Sequence, residues 1–299
     1  MTIHPVRCRS PIIFMTSILS GLALLGETPA VFGDTIALTS VKDNTLIETA
    51  DGSNSNGLGD GIFSGRTGNF GGGALLRAVL AFDLSAIPAG STINSASLTL
   101  TLLQTVNADQ THTLHRLLAN WGEGTSNSVG GNGEPATSGD ATWLHTFWPD
   151  QFWANPGGDF QSTPSASLVV GATEGPYVWS DPALAADVQF WLDNPKSNFG
   201  WLVQGNESVL FTAKKFGSKD NEFETDRPML TIDYTPPLPC PADINGTGTV
   251  NVDDLLAVIN AWGPCPPGSC PADIAPLGGN GVVNVDDLLA VINGWGPCP

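Results

Sequence analysis

The sequence predicts a mainly β fold, a β-sandwich with one covering helix, followed by a small helical domain of two loop–helix repeats. Three observations carry this. Short apolar runs recur through residues 34–235 between segments rich in Gly, Pro and Asn. A duplication occupies the end of the chain: VNVDDLLAVINAWGPCP at 250–266 and VNVDDLLAVINGWGPCP at 283–299 differ only at Ala261 and Gly294. Of the 5 cysteines, all but one lie in the region 240–299 that holds these repeats.

Residues 1–33 read as a secretory signal peptide, with Arg7 and Arg9 ahead of an apolar run at 11–25 and small residues up to Gly33. The run is shorter than the roughly 20 residues a membrane-spanning helix needs, so no span is expected in the mature chain, which is placed outside the cell or at its surface. Cys8 leaves with this segment. Cys240, Cys265, Cys270 and Cys298 remain, and in an exported protein they are expected to form two disulfides. Three connectivities are open; bracketing each repeat, Cys240 with Cys265 and Cys270 with Cys298, treats the duplicated units alike and is favoured. No histidine lies near these cysteines, which argues against zinc. The formal charge of −18 argues against nucleic acid as a partner.

Taken in order, residues 35–41 and 45–49 are strand-like, 51–73 is a Gly/Asn/Ser-rich loop, and 75–82 is an apolar run. The clearest strand is 93–103, where Leu98, Leu100 and Leu102 share one face and Ser97, Thr99 and Thr101 the other. Further strands are expected at 111–117, 167–171, 199–204, 209–216 and 229–234. One helix interrupts them, with Asp181 as N-cap, Pro182 in the first turn, Leu184, Val188, Trp191 and Leu192 on one face, and a stop before Pro195. Residues 236–239 form a Pro-rich linker, and the repeats occupy 240–299.

Each repeat opens on a loop of oxygen-bearing side chains. Counting from Asp243 places Asp243, Asn245, Thr247, Asn251 and Asp254 at positions 1, 3, 5, 9 and 12, with the Thr249 carbonyl at 7 and Gly248 at the sharp turn of position 6. This is the EF-hand calcium spacing, in which hard oxygen ligands surround the ion and position 9 acts through water. The second copy is less regular. Asn280, Val282 (by its carbonyl), Asn284 and Asp287 fall at positions 5, 7, 9 and 12, but Pro276 stands at position 1 and Asp273 lies three residues too early, so this loop carries an insertion. Asp254 is therefore expected to matter more than Asp287. Val252, Leu255, Leu256, Ile259 and Trp262 recur at helical spacing after the first loop.

A pair of such units, each without an entering helix, resembles a type I dockerin domain. The resemblance implies a fold that depends on Ca2+ and docks onto a cohesin-like scaffold or cell-surface receptor. It also implies that positions 10 and 11, Val252-Asp253 and Val285-Asp286, bear on partner choice; both copies carry the same pair. Thr247 departs from the usual acidic or Asn ligand.

Four separated stretches of the central region together resemble the DNRLRE family: DNTLIE at 43–48, LRAVLAFDLSAIPAG at 76–90, LHR at 114–116 with WGEG at 121–124, and RPMLTIDY at 227–234. That resemblance implies a jelly-roll module that binds acidic or neutral polysaccharide. Thr45 and Ile47 stand where the family name has Arg.

Trp143, Phe147, Trp148, Phe152 and Trp153 crowd into one short stretch. Two readings are open: a sugar-stacking platform of Trp143, Trp148 and Trp153 with Asp150 as hydrogen-bonding partner, or a plug at one end of the sandwich. His112 and His115, on one strand, point to opposite faces and do not readily chelate one metal, and His145 adds a weak case. Glu48, Glu123, Asp150 and Glu174 supply carboxyl groups, but nothing pairs them at the spacing glycoside hydrolysis requires, and no nucleophile motif appears. The reading is a non-catalytic binding protein tethered by its calcium repeats. A dockerin-tethered polysaccharide lyase or glycoside hydrolase, and a structural matrix protein, are the alternatives.

Overall fold

The computed structural model describes residues 33–237, 240–268 and 270–298. The signal peptide expected over residues 1–33 lies outside the described residues except for Gly33, as does half of the 236–239 linker. Among the described residues no helix is long and apolar enough to cross a membrane.

The chain is mainly β. Ten strands form one antiparallel sheet: β1 (Asp34–Ile47), β2 (Gly61–Arg66), β3 (Leu75–Phe82), β4 (Thr92–Thr105), β5 (Gln110–Arg116), β6 (Ala166–Val170), β7 (Gly175–Ser180), β8 (Trp201–Gln204), β9 (Lys214–Gly217) and β10 (Met229–Thr235). Among the described residues the α-helices are α1 (Pro182–Asp193), α2 (Val252–Asn260) and α3 (Val285–Asn293).

Six strands close on themselves in the order β1–β10–β4–β9–β2–β3 and back to β1. Closure depends on β1, whose residues 34–39 pair with β10 and whose residues 40–47 pair with β3, with a register shift between Ser40 and Lys42. The two runs expected at 35–41 and 45–49 are thus one bent strand, because a bulge re-aims a strand without ending it. On the other side of β4, β7 pairs with residues 97–102; β8, β5 and β6 extend the sheet from β3.

β2 and β7 escape a reading of the sequence. The first, GIFSGR, is buried inside the segment expected as a loop, and the second contains Pro176. The run at 209–216 shortens to β9, since residues 208–212 make a turn tied by Thr212 Oγ1 to the Val209 carbonyl. Helix α1 begins as expected: Asp181 accepts the Ala183 N–H at 2.8 Å, and Leu184, Val188 and Trp191 are buried.

The apolar residues of β3 alternate between two cores. Ala78, Leu80 and Phe82 join Leu98, Leu100, Leu102, Trp179, Trp191, Trp201 and Phe216, whereas Val79 and Ala81 join Leu46, Leu117, Trp121, Trp143, Trp153 and Leu202. A strand apolar on both faces needs cover on both. Residues from 117 to 160 supply the second cover. A third, separate core in the repeats is built from Val250, Val258, Val283 and Val291 with Ala242 and Ala272.

Candidate metal centre and ligand surfaces

In the first repeat Asn251 is the N-cap of α2, its side chain accepting the Asp253 N–H at 2.7 Å, and Asp254 reaches back to the Asn251 N–H at 2.9 Å. This capping box turns loop positions 9 and 12 toward the oxygens of positions 1 to 7. Asp243 accepts the Thr247 N–H at 3.0 Å and the Gly248 N–H, whose φ of 80° lets the chain fold back over it. Asn245 Oδ1 accepts the same Thr247 N–H at 3.1 Å, Thr247 Oγ1 donates to the Thr249 carbonyl at 3.3 Å, and Asn251 Nδ2 reaches that carbonyl at 3.3 Å. All six expected ligand residues are therefore gathered around one small loop. Every donor atom among them is oxygen, the set that suits a hard cation such as Ca2+.

The second repeat reaches a similar arrangement in spite of its insertion, but residues 274–279 carry no oxygen-bearing side chain to stand in for Asn245. Asp273 accepts the Asn280 N–H at 2.9 Å and the Gly281 N–H at 2.6 Å, as Asp243 does with the equivalent Gly248. The additional residues bulge out between Asp273 and Asn280, held by a Gly279 N–H to Pro276 carbonyl bond of 2.7 Å. Asn280 Oδ1 accepts the Val282 N–H at 3.0 Å, Asn284 Nδ2 donates to the Val282 carbonyl at 3.4 Å, and Asp287 accepts the Asn284 N–H at 2.8 Å. Position 1 is thus filled by Asp273 and not by the residue that counting places there.

Asp254 and Asp287 are both fully buried. Burial raises a carboxyl, but the N–H groups of Asn251, Asn245 and Ile244 outweigh it and hold Asp254 below the usual carboxylate range. Those of Asn284, Ala275 and Ile274 do the same for Asp287. Each carboxylate keeps lone pairs beyond those used by the N–H groups, so capping does not preclude ligation.

The favoured disulfide pairing is corrected. Cys240 is bonded to Cys298 and Cys265 to Cys270. The tail of each repeat pairs with the loop of the other: Gly296–Pro297 with Thr249–Val250, and Gly263–Pro264 with Val282–Val283. The crossing carries each tail cysteine to the head of the opposite repeat, where Cys298 donates its N–H to the Gly248 carbonyl at 3.0 Å and Cys265 its own to Gly281 at 2.9 Å. Crossed pairing also treats the two copies alike, which is why the duplication could not choose. Cys265, Cys270 and Asp273 lie together, but both sulfurs are spent in the disulfide.

The periodic apolar residues of α2 divide. Leu255 and Val258 face the core, whereas Val252, Leu256, Ile259 and Trp262 are about half exposed, and Val285, Leu289, Ile292 and Trp295 repeat this on α3. What sequence alone presents as one buried face is in part a surface.

Of the two readings left open for the stretch holding Trp143, Trp148 and Trp153, the burial of Trp143 and Trp153 favours the plug over a sugar platform. Trp143 and Trp153 retain only 7% and 5% exposure in the second core. The outward residues of β3 and β8 require that cover, and Arg77 packs over the Trp143 ring at 4.8 Å. Trp148 is half-buried with its ring against His145, while Asp150 and Phe152 are exposed. His112 and His115 are buried on opposite faces, one against Phe216 and the other against Phe160, and His145 bonds Thr142, so the three do not meet. Glu48, Asp150 and Glu174 are exposed on separate segments, and Glu123 is half-buried beside Asp43.

An aromatic-bordered cleft of about 330 Å³ lies elsewhere, between Phe70, Phe211, Val106 and Phe63, with Gln104 and Lys215 at its wall. Phe70 is fully exposed, and Phe211 is the one non-Gly residue with positive φ among the described residues, at 64°. A bulky residue there is strained, and such strain gathers at functional sites. Gly68 lies so close to the Phe211 ring that a Cβ would come within 2.0 Å of it, which fixes the ring at the edge of the cleft. Apolar periodicity does not mark this cleft, because Phe70 sits in a short 3-10 helix and Phe211 in a turn; Gly-rich loops carrying isolated aromatics are the signal that could have found it.

No family model matches the chain, and no curated protein does either.

Proposed function

We propose that this is an exported, non-catalytic protein whose repeats fold around Ca2+ and dock it onto a protein receptor of the cohesin type, while its β domain, read as a jelly-roll sandwich, holds a polysaccharide. The observation that supports docking is the pair of exposed stripes, Val252–Leu256–Ile259–Trp262 and Val285–Leu289–Ile292–Trp295, alike in residue and exposure. Exposed apolar patches on a small disulfide-linked domain favour interaction surfaces. Two equivalent stripes let one receptor bind through either repeat, or two bind at once. Binding of the full chain to a cohesin domain, measured with and without chelator, tests this; capture that is indifferent to chelator sinks the calcium-dependent docking.

Polysaccharide binding moves from the tryptophan cluster to the Phe70–Phe211 cleft, whose rings offer stacking faces and whose Gln104 and Lys215 offer donors to hydroxyl or carboxylate groups. Affinity electrophoresis on alginate, pectin, xylan and cellulose, with product release followed in parallel, separates this reading from the lyase or hydrolase alternative. New reducing or unsaturated ends count for the enzyme. Retention without products counts for the binding module.

A further inference from the structure

Three carboxylates converge in the β domain, away from the repeats and outside the Phe70–Phe211 cleft. Asp43 belongs to β1, Glu123 follows β5, and Asp220 lies in the turn after β9; one oxygen of each lies within 4.8 Å of the other two. Asp43 has no exposure at all. Its Oδ2 accepts the Lys219 N–H at 2.7 Å and the Ser40 hydroxyl at 3.4 Å, whereas its Oδ1 touches neither solvent nor any hydrogen-bond partner. A buried carboxylate oxygen left without a partner is costly, and such an atom in a native fold calls for an occupant.

The positive charge already present does not reach it. Lys219 Nζ stands 3.3 Å from Glu123 and 2.9 Å from Asp220, and Lys42 Nζ is held by the Trp121 carbonyl at 2.6 Å and Asn120 at 3.1 Å. Neither ammonium contacts Oδ1. Burial, with smaller contributions from Glu123 and Asp220, pushes the Asp43 carboxyl up to about 8, as befits an acid crowded by other acids without enough cation.

The geometry points to a Ca2+ site formed by Asp43, Glu123 and Asp220, with the Lys219 ammonium as the group it displaces toward solvent. The donors are all carboxylate oxygens, which disfavours zinc and copper. Calcium bonds oxygen at about 2.3–2.6 Å in irregular geometry, so oxygens up to about 5 Å apart share one ion without rearrangement, whereas magnesium demands a tighter octahedron. Asp43 supplies the innermost ligand, and its Oδ1 is the oxygen no hydrogen bond occupies. The ion ties β1 to the segment after β5 and to the turn after β9, three parts of the chain far apart in sequence.

This site is independent of the calcium loops, and the test keeps the two apart. The full chain carrying Asp243→Ala and Asp273→Ala, which strip the loops, is titrated with CaCl2 by calorimetry after chelator treatment. One site is expected to remain. Asp220→Asn, at the exposed edge of the cluster, and Asp43→Asn should each weaken that site at least tenfold. Lys219→Met, which removes the competing ammonium, should tighten it several-fold. Absence of any site in the loop-stripped, folded chain overturns the proposal, as does binding unmoved by both Asp220→Asn and Asp43→Asn. A Lys219→Met chain that binds more weakly overturns it too, because the carboxylates then serve only to hold that lysine. Failure of the loops alone leaves the unaltered chain with this one site, so the two failures are told apart.

Discussion

Cys240 is bonded to Cys298, so the first cysteine of one repeat meets the last of the other, across 58 residues of sequence, while Cys265 and Cys270 close a link of only 5. Peptide mapping of the unreduced protein should recover these two pairs and not the bracketed ones. In the chain-entropy model the long link contributes about 4 kcal/mol and the short one about 2. Denaturation of Cys240→Ser/Cys298→Ser should therefore show a larger loss than Cys265→Ser/Cys270→Ser.

Calcium should bind both loops, the first more tightly, because the second has no oxygen side chain in place of Asn245. Asp273 does in the second repeat what Asp243 does in the first, so Asp243→Ala and Asp273→Ala should each remove one site from a calorimetric titration. Asp254→Ala should cost more than Asp287→Ala, because the second loop already has one ligand fewer to lose. At a hundredfold excess over its dissociation constant each site adds about 3 kcal/mol to the stability of the repeats, which chelator removes.

Core and surface aromatics should separate cleanly. Trp153→Ala should destabilise by about 3–5 kcal/mol, because a large ring leaves the second core and the Thr142 carbonyl loses the indole N–H that donates to it at 2.9 Å. Phe70→Ala should leave the melting temperature nearly unchanged while reducing retention on whichever polysaccharide binds. A stable Trp153→Ala chain with lost sugar binding restores the tryptophan platform.

Stability should fall as the medium is acidified through the histidine range. Burial, with Lys214 nearby, pushes His112 down to about 4 from its ordinary 6.5. The unfolded chain then takes up a proton that the folded one refuses, so this contribution is fully present above about 6.5 and is lost as pH falls toward 4, at most about 3 kcal/mol. His115 and His145, also lowered by burial, act in the same direction. Denaturant titrations at several pH values should show a shallower decline for His112→Gln than for the unaltered chain.

Much of the fold was open to inspection in the residues. The alternation of Leu98, Leu100 and Leu102 marks β4, and Asp181-Pro182 marks the start of α1, because these signals are local. The four stretches that carry the DNRLRE resemblance prove to be neighbours in space. Leu46 pairs with Arg77 and Asp43 with Leu80, Asp43 donates its N–H to Glu123 at 2.8 Å, and Leu230 and Ile232 share a core with Leu80 and Phe82. Their order along the chain shows none of this.

By itself the sequence determined the β-rich class, the strand and helix periodicities, and the oxygen-bearing side chains of both loops, since each depends on residues within a few positions of one another. Only the tertiary structure decided the partners. It crossed the tails of the repeats and so chose between two symmetric disulfide patterns, and it returned Asp273 to the first loop position by bulging an insertion outward. It also turned Leu256 and Leu289 to the surface and Trp143 and Trp153 into the core. Each of these choices rests on contacts between distant segments, whose burial and hydrogen bonding no local spacing encodes.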